Sequence, residues 1–376
     1  MQYWSQPRRS GFRKWSLRIH LWLGISLGLL LSVVCITGSI VVYKPEMEKI
    51  SLGAISKVNP KENTVSLQLL YNLVASKYPN YAIQSVATYG GKNAAWNFRL
   101  APPPGQGKRL QVYVDQYRGT ILGEDNFKGN FLQIMYDLHA DLLFGKNGRL
   151  VNGIAALLFV LLCLTGLVIW YPGWGKIASG FKFNRKSNWK GKNYDIHKLS
   201  GFWSAGLLVF VSITGAYFPF KKEYEAITAF VTQTPHTLES PKLSNPDSAL
   251  KFTDLNAVYQ LGKKTLPEGE ITFIRFPQKS NDHFSVRKYI KGDWGRIGDN
   301  FVFVDRNTPK IIRTDRFTDL PIGVKVTRAM FPLHFGTFWA NWSRILWIIL
   351  GLIVPVLFIS GFIIWFKKLK RAHYAG

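Results

Sequence analysis

Four long apolar stretches, residues 17–43, 150–171, 199–220 and 345–366, constrain this chain more than anything else in it. Each is close to the ~20 residues that cross a hydrocarbon core at ~1.5 Å per residue, and each contains almost no ionisable side chain. Lipid offers the backbone no hydrogen-bond partner, so a segment of this kind must satisfy its own amides as a helix. The expected frame is therefore a four-span α-helical membrane protein. Soluble segments fill the two long gaps between spans one and two and between spans three and four.

The formal charge of +26 is placed in a way that orients this frame. Basic residues crowd the N-terminus (Arg8, Arg9, Arg13, Lys14, Arg18), the short 172–196 connection and the tail (Lys367, Lys368, Lys370, Arg371). All three fall on one side of a four-span topology, which the positive-inside rule makes cytoplasmic. The two long connections are then external. No zinc-finger, helix-turn-helix or RNA-binding signature accompanies the charge, so nucleic acid is not expected as a partner. The basic start resembles a signal peptide, and Arg8-Arg9 resembles a twin-arginine signal. The apolar run is too long for a cleaved one and no small-x-small site follows, so a retained anchor is expected. Cys35 and Cys163 lie in separate spans and read as small apolar filler, with no disulfide framework or Cys-x-x-Cys-His attachment site.

The two halves share a register. His20 and His197 each precede Gly at +4 (Gly24, Gly201), a small residue at +8 (Gly28, Ala205) and Ile-Thr-Gly at +16 to +18 (36–38, 213–215). His139 and His334 each follow Leu. Both are trailed by Arg at +10 (Arg149, Arg344), a hydroxyl residue and Gly at +26 and +27 (Thr165-Gly166, Ser360-Gly361), and Trp at +31 (Trp170, Trp365). The soluble segments, 61–123 and 251–314, also look alike. Each opens with a helix-like stretch at 66–71 or 254–259, continues with the alternating period of half-buried strands, and ends on Val112-Tyr113-Val114-Asp115 or Val302-Phe303-Val304-Asp305. Gln-Tyr-Arg-Gly and Arg-Asn-Thr-Pro then read as turns. At about 65 residues each, their cores would be marginal alone, so packing onto each other or onto the membrane portion is expected.

Repeated histidines at span ends point to metal chemistry. His20 and His197 open inward-to-outward spans and so mark the cytoplasmic face; His139 and His334 precede the returning spans and mark the external face. Neutral imidazole is a metal ligand, and two across a porphyrin give six-coordinate haem. Without a covalent attachment motif, such haem is non-covalent b-type, two per chain. Gly24 and Gly201, one turn from their histidines, would let a flat macrocycle lie on the helix; they fit a small-xxx-small helix contact equally well. Arg149 and Arg344 are the candidate partners for haem propionates, or else interfacial anchors. Thr37, Thr165, Thr214 and Ser360 read as bonding to their own helices. A break at 145–148 is expected to free His139 from its span and let it lie along the interface, with Gly336 and Trp339 doing the same for His334. His236, His283 and His373 have no repeat partner and read as surface residues.

This order of elements resembles the PepSY-associated transmembrane family, on the Ile-His…Ile-Thr-Gly and Leu-His…Arg…Trp signatures and over nearly the whole chain. Within it, the chain resembles the FoxB-type ferric-siderophore reductases of the bacterial inner membrane. The resemblance implies spans at 17–43, 131–171 (with an interfacial segment), 197–220 and 331–366 (again with one). External PepSY-like α+β domains would occupy 44–130 and 221–330, a cytoplasmic basic loop 172–196 and a cytoplasmic tail 367–376. It implies an iron-linked oxidoreductase that passes electrons to an external Fe(III)-siderophore. No nucleotide fingerprint is present, so a separate cytoplasmic reductase or the quinone pool would supply the electrons. Oligomeric state is left open. Two other classes compete: a non-enzymatic PepSY scaffold that modulates peptidases and binds no haem, and a small transporter. The spans lack the internal carboxylates and broken helices of a coupling site, which argues against transport; Pro355 is the only interruption.

Overall fold

The computed structural model describes residue 7 and residues 10–105, 107–126, 130–241, 243, 253–295 and 297–373. Arg8, Arg9 and Lys251 lie outside the described residues, as do the side chains of Lys370, Arg371 and His373. The chain divides into two compact units. One comprises Met1–Lys44, Gly129–Tyr224 and Leu333–Gly376, the other Pro45–Lys128 and Glu225–Pro332.

In chain order the helices and strands are α1 (Gly11–Val41), α2 (Lys44–Leu52), α3 (Leu67–Lys77), β1 (Ala82–Ala87), β2 (Trp96–Ala101), β3 (Leu110–Asp115) and β4 (Thr120–Asp125). There follow α4 (Phe131–Asp141), α5 (Gly145–Trp170), α6 (Trp189–Ala216), α7 (Lys221–Thr232) and α8 (Leu255–Lys264). The chain closes with β5 (Glu270–Arg275), β6 (Phe284–Tyr289), β7 (Asn300–Val304), β8 (Ile311–Asp315), α9 (Ile322–Phe335) and α10 (Ala340–His373).

Helices α1, α5, α6 and α10 are long and apolar enough to cross a membrane, so this is a multi-pass membrane protein. Each packs against two of the others, in the cyclic order α1–α5–α6–α10, so that α1 and α6 stand on one diagonal of a four-helix bundle. Its core is Leu31, Phe159, Cys163, Leu208, Trp347, Leu350 and Val354, with Ala155 and Ala205. Close approach is bought with glycine: a Cβ on Gly28 would fall 2.2 Å from the Phe358 ring. The helices run further than their apolar stretches. Helix α6 begins at Trp189, capped by the Asn188 side chain, which accepts the Gly191 N–H at 3.1 Å; His197 therefore sits two turns inside a helix rather than at its start.

The break before α5 also falls earlier than its glycines imply. Leu142 and Leu143 hold positive φ of 54° and 65°, Gly145 follows at 57°, and Lys146 to Gly148 are already helical. These left-handed leucines end α4 and turn the chain sharply. The corresponding turn after α9 uses Gly336 (φ 67°), as the sequence placed it, and Ala340 (φ 46°) in place of Trp339.

In the second unit, the described strands form one antiparallel sheet ordered β4-β3-β2-β1-β5-β6-β7-β8. Each soluble segment contributes one helix and four strands, and β1 pairs with β5 through Ser85↔Arg275, Val86↔Ile274 and Ala87↔Phe273. A single core results: Leu70 and Val74 of α3 and Leu255 and Val258 of α8 lie with Phe98, Val112, Ile274, Phe284, Val286 and Val302. The helix starts are cross-linked, Gln68 N–H donating to Asn256 Oδ1 and Leu255 N–H to Gln68 Oε1, both at 3.2 Å. The last turns match as well. Asp115 Oδ1 accepts the N–H groups of Tyr117 and Arg118, and Asp305 Oδ1 those of Asn307 and Thr308. Two segments too small to hold a core singly hold one jointly.

Candidate metal centres

The four repeated histidines meet as two pairs inside the helical unit. His20 on α1 faces His197 on α6 with ring centroids 6.3 Å apart and planes at 84°. His139, on the last turn of α4, faces His334, on the last turn of α9, at 6.1 Å and 24°. Along α1, His20 lies 14 to 18 residues from the turn that receives His139. At ~1.5 Å per residue the pairs are thus roughly 24 Å apart, within a hydrocarbon core of about 30 Å. His139 is folded back onto the penultimate turn of α1.

Every imidazole is held in one manner. Nδ1 of His20 contacts Leu162 O at 3.0 Å, and His197 contacts Leu357 O at 3.1 Å. His139 contacts Val34 O at 2.8 Å, and His334 contacts Val211 O at 3.2 Å. A carbonyl only accepts, so each Nδ1 carries the proton and each Nε2 keeps its lone pair. That is the ligand form, with the outer hydrogen bond that orients a metal-binding histidine. For His139 and His334, outside the spanning helices, burial lowers the pKa from the ordinary imidazole value.

The docking site for each ring is a five-residue motif that occurs once in every spanning helix. Val34-Cys-Ile-Thr-Gly38 receives His139, and Leu162-Cys-Leu-Thr-Gly166 receives His20. Val211-Ser-Ile-Thr-Gly215 receives His334, and Leu357-Phe-Ile-Ser-Gly361 receives His197. The first residue supplies the carbonyl. The terminal glycine, one turn on, removes the side chain that would block the ring: a Cβ would meet the imidazole Cε1 at 2.7 Å for Gly38, 2.8 Å for Gly215, 3.0 Å for Gly361 and 3.1 Å for Gly166. The hydroxyl residues donate to their own helices, as the sequence suggested. Three of them also approach a histidine Nδ1: Ser360 at 2.9 Å, and Thr165 and Thr214 at 3.3 Å. The signal for these residues was present in the sequence as a register mark, and only the contact across helices gives it a function.

The other candidate residues have contacts of their own. A Cβ on Gly24 or Gly201 would meet Leu162 at 4.0 Å or Leu357 at 3.5 Å, ordinary contact with a facing helix. Arg149 is half-exposed and pairs with Asp141 at 3.7 Å. Arg344 is buried; it lies 3.7 Å over the Tyr43 ring, and its Nη2 donates to Val42 O at 2.6 Å. Two further residues hold the second pair through the backbone. Asn152 Nδ2 donates to His139 O at 2.6 Å, and Trp347 Nε1, at the matching repeat position, donates to His334 O at 2.9 Å.

Among the described residues, no three His, Cys, Asp or Glu side chains converge. Each site offers two nitrogens, short of the three or four protein ligands that a zinc site uses. A family model described as the PepSY-associated TM region matches residues 17–368. The chain matches no curated protein.

Proposed function

The chain belongs to the family defined by the PepSY-associated TM region, and from that premise we propose that it is a transmembrane electron-transfer protein holding two non-covalent b-type haems. The facing imidazole pairs carry this reading. Two imidazoles that would hold one iron between them would stand about 6 Å apart, from metal–nitrogen bonds of about 2 Å and about 1 Å from each nitrogen to its ring centre. Centroid distances of 6.3 and 6.1 Å fit that spacing at both sites. A two-nitrogen donor set suits haem, whose porphyrin would supply the other iron ligands.

His20 and His197 would hold one haem and His139 and His334 the other. Bound haem would supply one-electron exchange between ferric and ferrous iron. The chain's own residues fix each Nδ1 proton on a helix carbonyl, leave each Nε2 its lone pair and surround the intervening depth with apolar packing that excludes water. The activity that follows is reduction of an external Fe(III)-siderophore, in which one electron converts the chelated iron to Fe(II), a weaker partner for the ligand. A cytoplasmic reductase or the quinone pool would supply that electron. In this reading the protein sits in a bacterial inner membrane with both termini cytoplasmic, the soluble unit is periplasmic, and the two halves descend from a duplicated span–PepSY–span unit.

The test is the reduced-minus-oxidised visible spectrum of detergent-purified protein with pyridine haemochrome quantitation. Two b-type haems per chain, followed by oxidation of the reduced protein on adding an Fe(III)-siderophore, are expected. No haem after growth with haem precursor would remove the redox function and leave a non-enzymatic membrane scaffold.

A further inference from the structure

The sheet of the soluble unit has one face committed to the core and another that carries unpaired positive charge. Along the middle strands Phe98, Val86, Ile274 and Val286 point into the core, so their neighbours Arg99, Ser85, Arg275 and Ser285 share the opposite face. The register sets Ser85 directly opposite both Arg99 and Arg275. Two exposed arginines therefore flank one small buried serine, with their Cα atoms about 10 Å apart at ~4.8 Å per strand spacing. Among the described residues neither Arg99 nor Arg275 has an ion pair or a hydrogen bond. Arg99 instead lies over the Phe273 ring at 5.2 Å, a contact that orders the guanidinium without neutralising it.

His283 completes the feature, and it is more than a surface residue. Its ring meets Phe303 at 5.1 Å, it is half-buried, and Nδ1 is enclosed with no hydrogen-bond partner. Burial lowers its pKa; Asp282 opposes this, while Arg275 and Arg313 add to it, Arg313 being itself paired with Asp315. Asp282 is itself engaged by the N–H groups of Gln278 and Lys279. Two cations without an ion pair, Arg99 and Arg275, aromatic rings beside them and an enclosed nitrogen lacking a partner describe a place for an anion with aromatic character.

We infer that this face is the substrate-docking site and that it selects polyanionic ferric chelates of the catecholate class. The inference rests on the proposed reductase function and names its substrate class. Arg99 and Arg275 would bracket the chelate's oxygens from two sides of Ser85, a role suited to the planar, multiply donating guanidinium. Phe273 and Phe303 would line the catechol rings, and His283 would meet an oxygen at the margin. A neutral or cationic hydroxamate chelate gains nothing from such a field.

The experiment uses the full-length protein in detergent, titrated with a ferric tricatecholate and with a ferric trihydroxamate while tryptophan quenching is followed. Arg99→Gln/Arg275→Gln is compared with Lys61→Gln/Lys108→Gln, which removes the same charge elsewhere. The arginine pair should weaken tricatecholate binding roughly tenfold or more, flatten its salt dependence and leave trihydroxamate binding unchanged, with the lysine control matching the parent. Equal loss for both chelates, equal loss in the control, no binding by the parent, or displacement of the tricatecholate by vesicles rich in anionic lipid would overturn the assignment. Haem content is read on the same samples: its absence sinks the proposed function, whereas intact haem with unchanged chelate affinity in the arginine variant sinks this site alone.

Discussion

The His20–His197 pair and the His139–His334 pair use the same docking motif but are delivered to it differently. His20 and His197 belong to spanning helices, so their positions follow from bundle packing alone. His139 and His334 sit on short helices that must first be folded back by a sharp turn, through Leu142 and Leu143 in one half and Gly336 and Ala340 in the other. The first pair has a hydroxyl near Nδ1 on both sides, from Thr165 and Ser360. In the second, only His334 has one, and both backbones are tethered from outside, by Asn152 and Trp347. A histidine on a rigid span needs little support, whereas one on a separate short helix needs its turn and tethers.

The largest expected effect tests whether the pairs are independent. His20→Ala or His197→Ala should abolish one haem and leave the other, and His139→Ala or His334→Ala should do the reverse, each reading one haem per chain by pyridine haemochrome. Loss of both haems from any single substitution would show that the sites are coupled through folding.

Next comes a difference between the cradles. Gly38→Ala and Gly215→Ala put a Cβ at 2.7 and 2.8 Å from the ring they hold, so the imidazole must swing away and second-site haem should be largely lost. At Gly166 and Gly361 the contacts are 3.1 and 3.0 Å, which a slight shift relieves; alanine there should retain haem with an altered spectrum. Equal losses at all four glycines would erase the distinction.

A smaller effect is expected from the hydroxyls. Ser360→Ala should lower first-site haem affinity roughly tenfold, the lower end for losing an orienting partner of a ligand histidine. Thr37→Val should do nothing to His139, since Thr37 bonds only to Val33 and Val34 of its own helix. Haem transfer to apomyoglobin measures both. The smallest concerns the tethers: Trp347→Phe should keep the packing, lose the bond to His334 O and speed release of second-site haem alone.

Much of this arrangement was legible beforehand. Four helical spans follow from runs of apolar residues, because lipid leaves the backbone no other choice. The two pairings of histidines follow from the repeat, since residues at matching positions occupy matching depths. Element identities in the soluble segments were likewise readable, down to the closing Asp115 and Asp305 turns. What resisted reading was where elements begin and end and which partner each side chain takes. Helix α6 extends ten residues before its apolar run because a cap at Asn188 outweighs the polarity of the residues that follow it. The break before α5 falls on Leu142, Leu143 and Gly145, all at positive φ, so that only Gly145 of the expected 145–148 segment takes part. Arg149 and Arg344, singled out by register, are engaged with Asp141 and with Val42 and Tyr43.

The sequence by itself determined the number of spans, the helical fold they require and the four histidines as matched pairs, since hydrophobic length and periodicity are local properties. Only the tertiary structure decided that a carbonyl and a glycine on one helix receive a histidine from another, and that eight strands from two distant segments close over one core. Both depend on which surfaces meet, and that is settled by side-chain volume and backbone hydrogen bonding across the fold rather than along the chain.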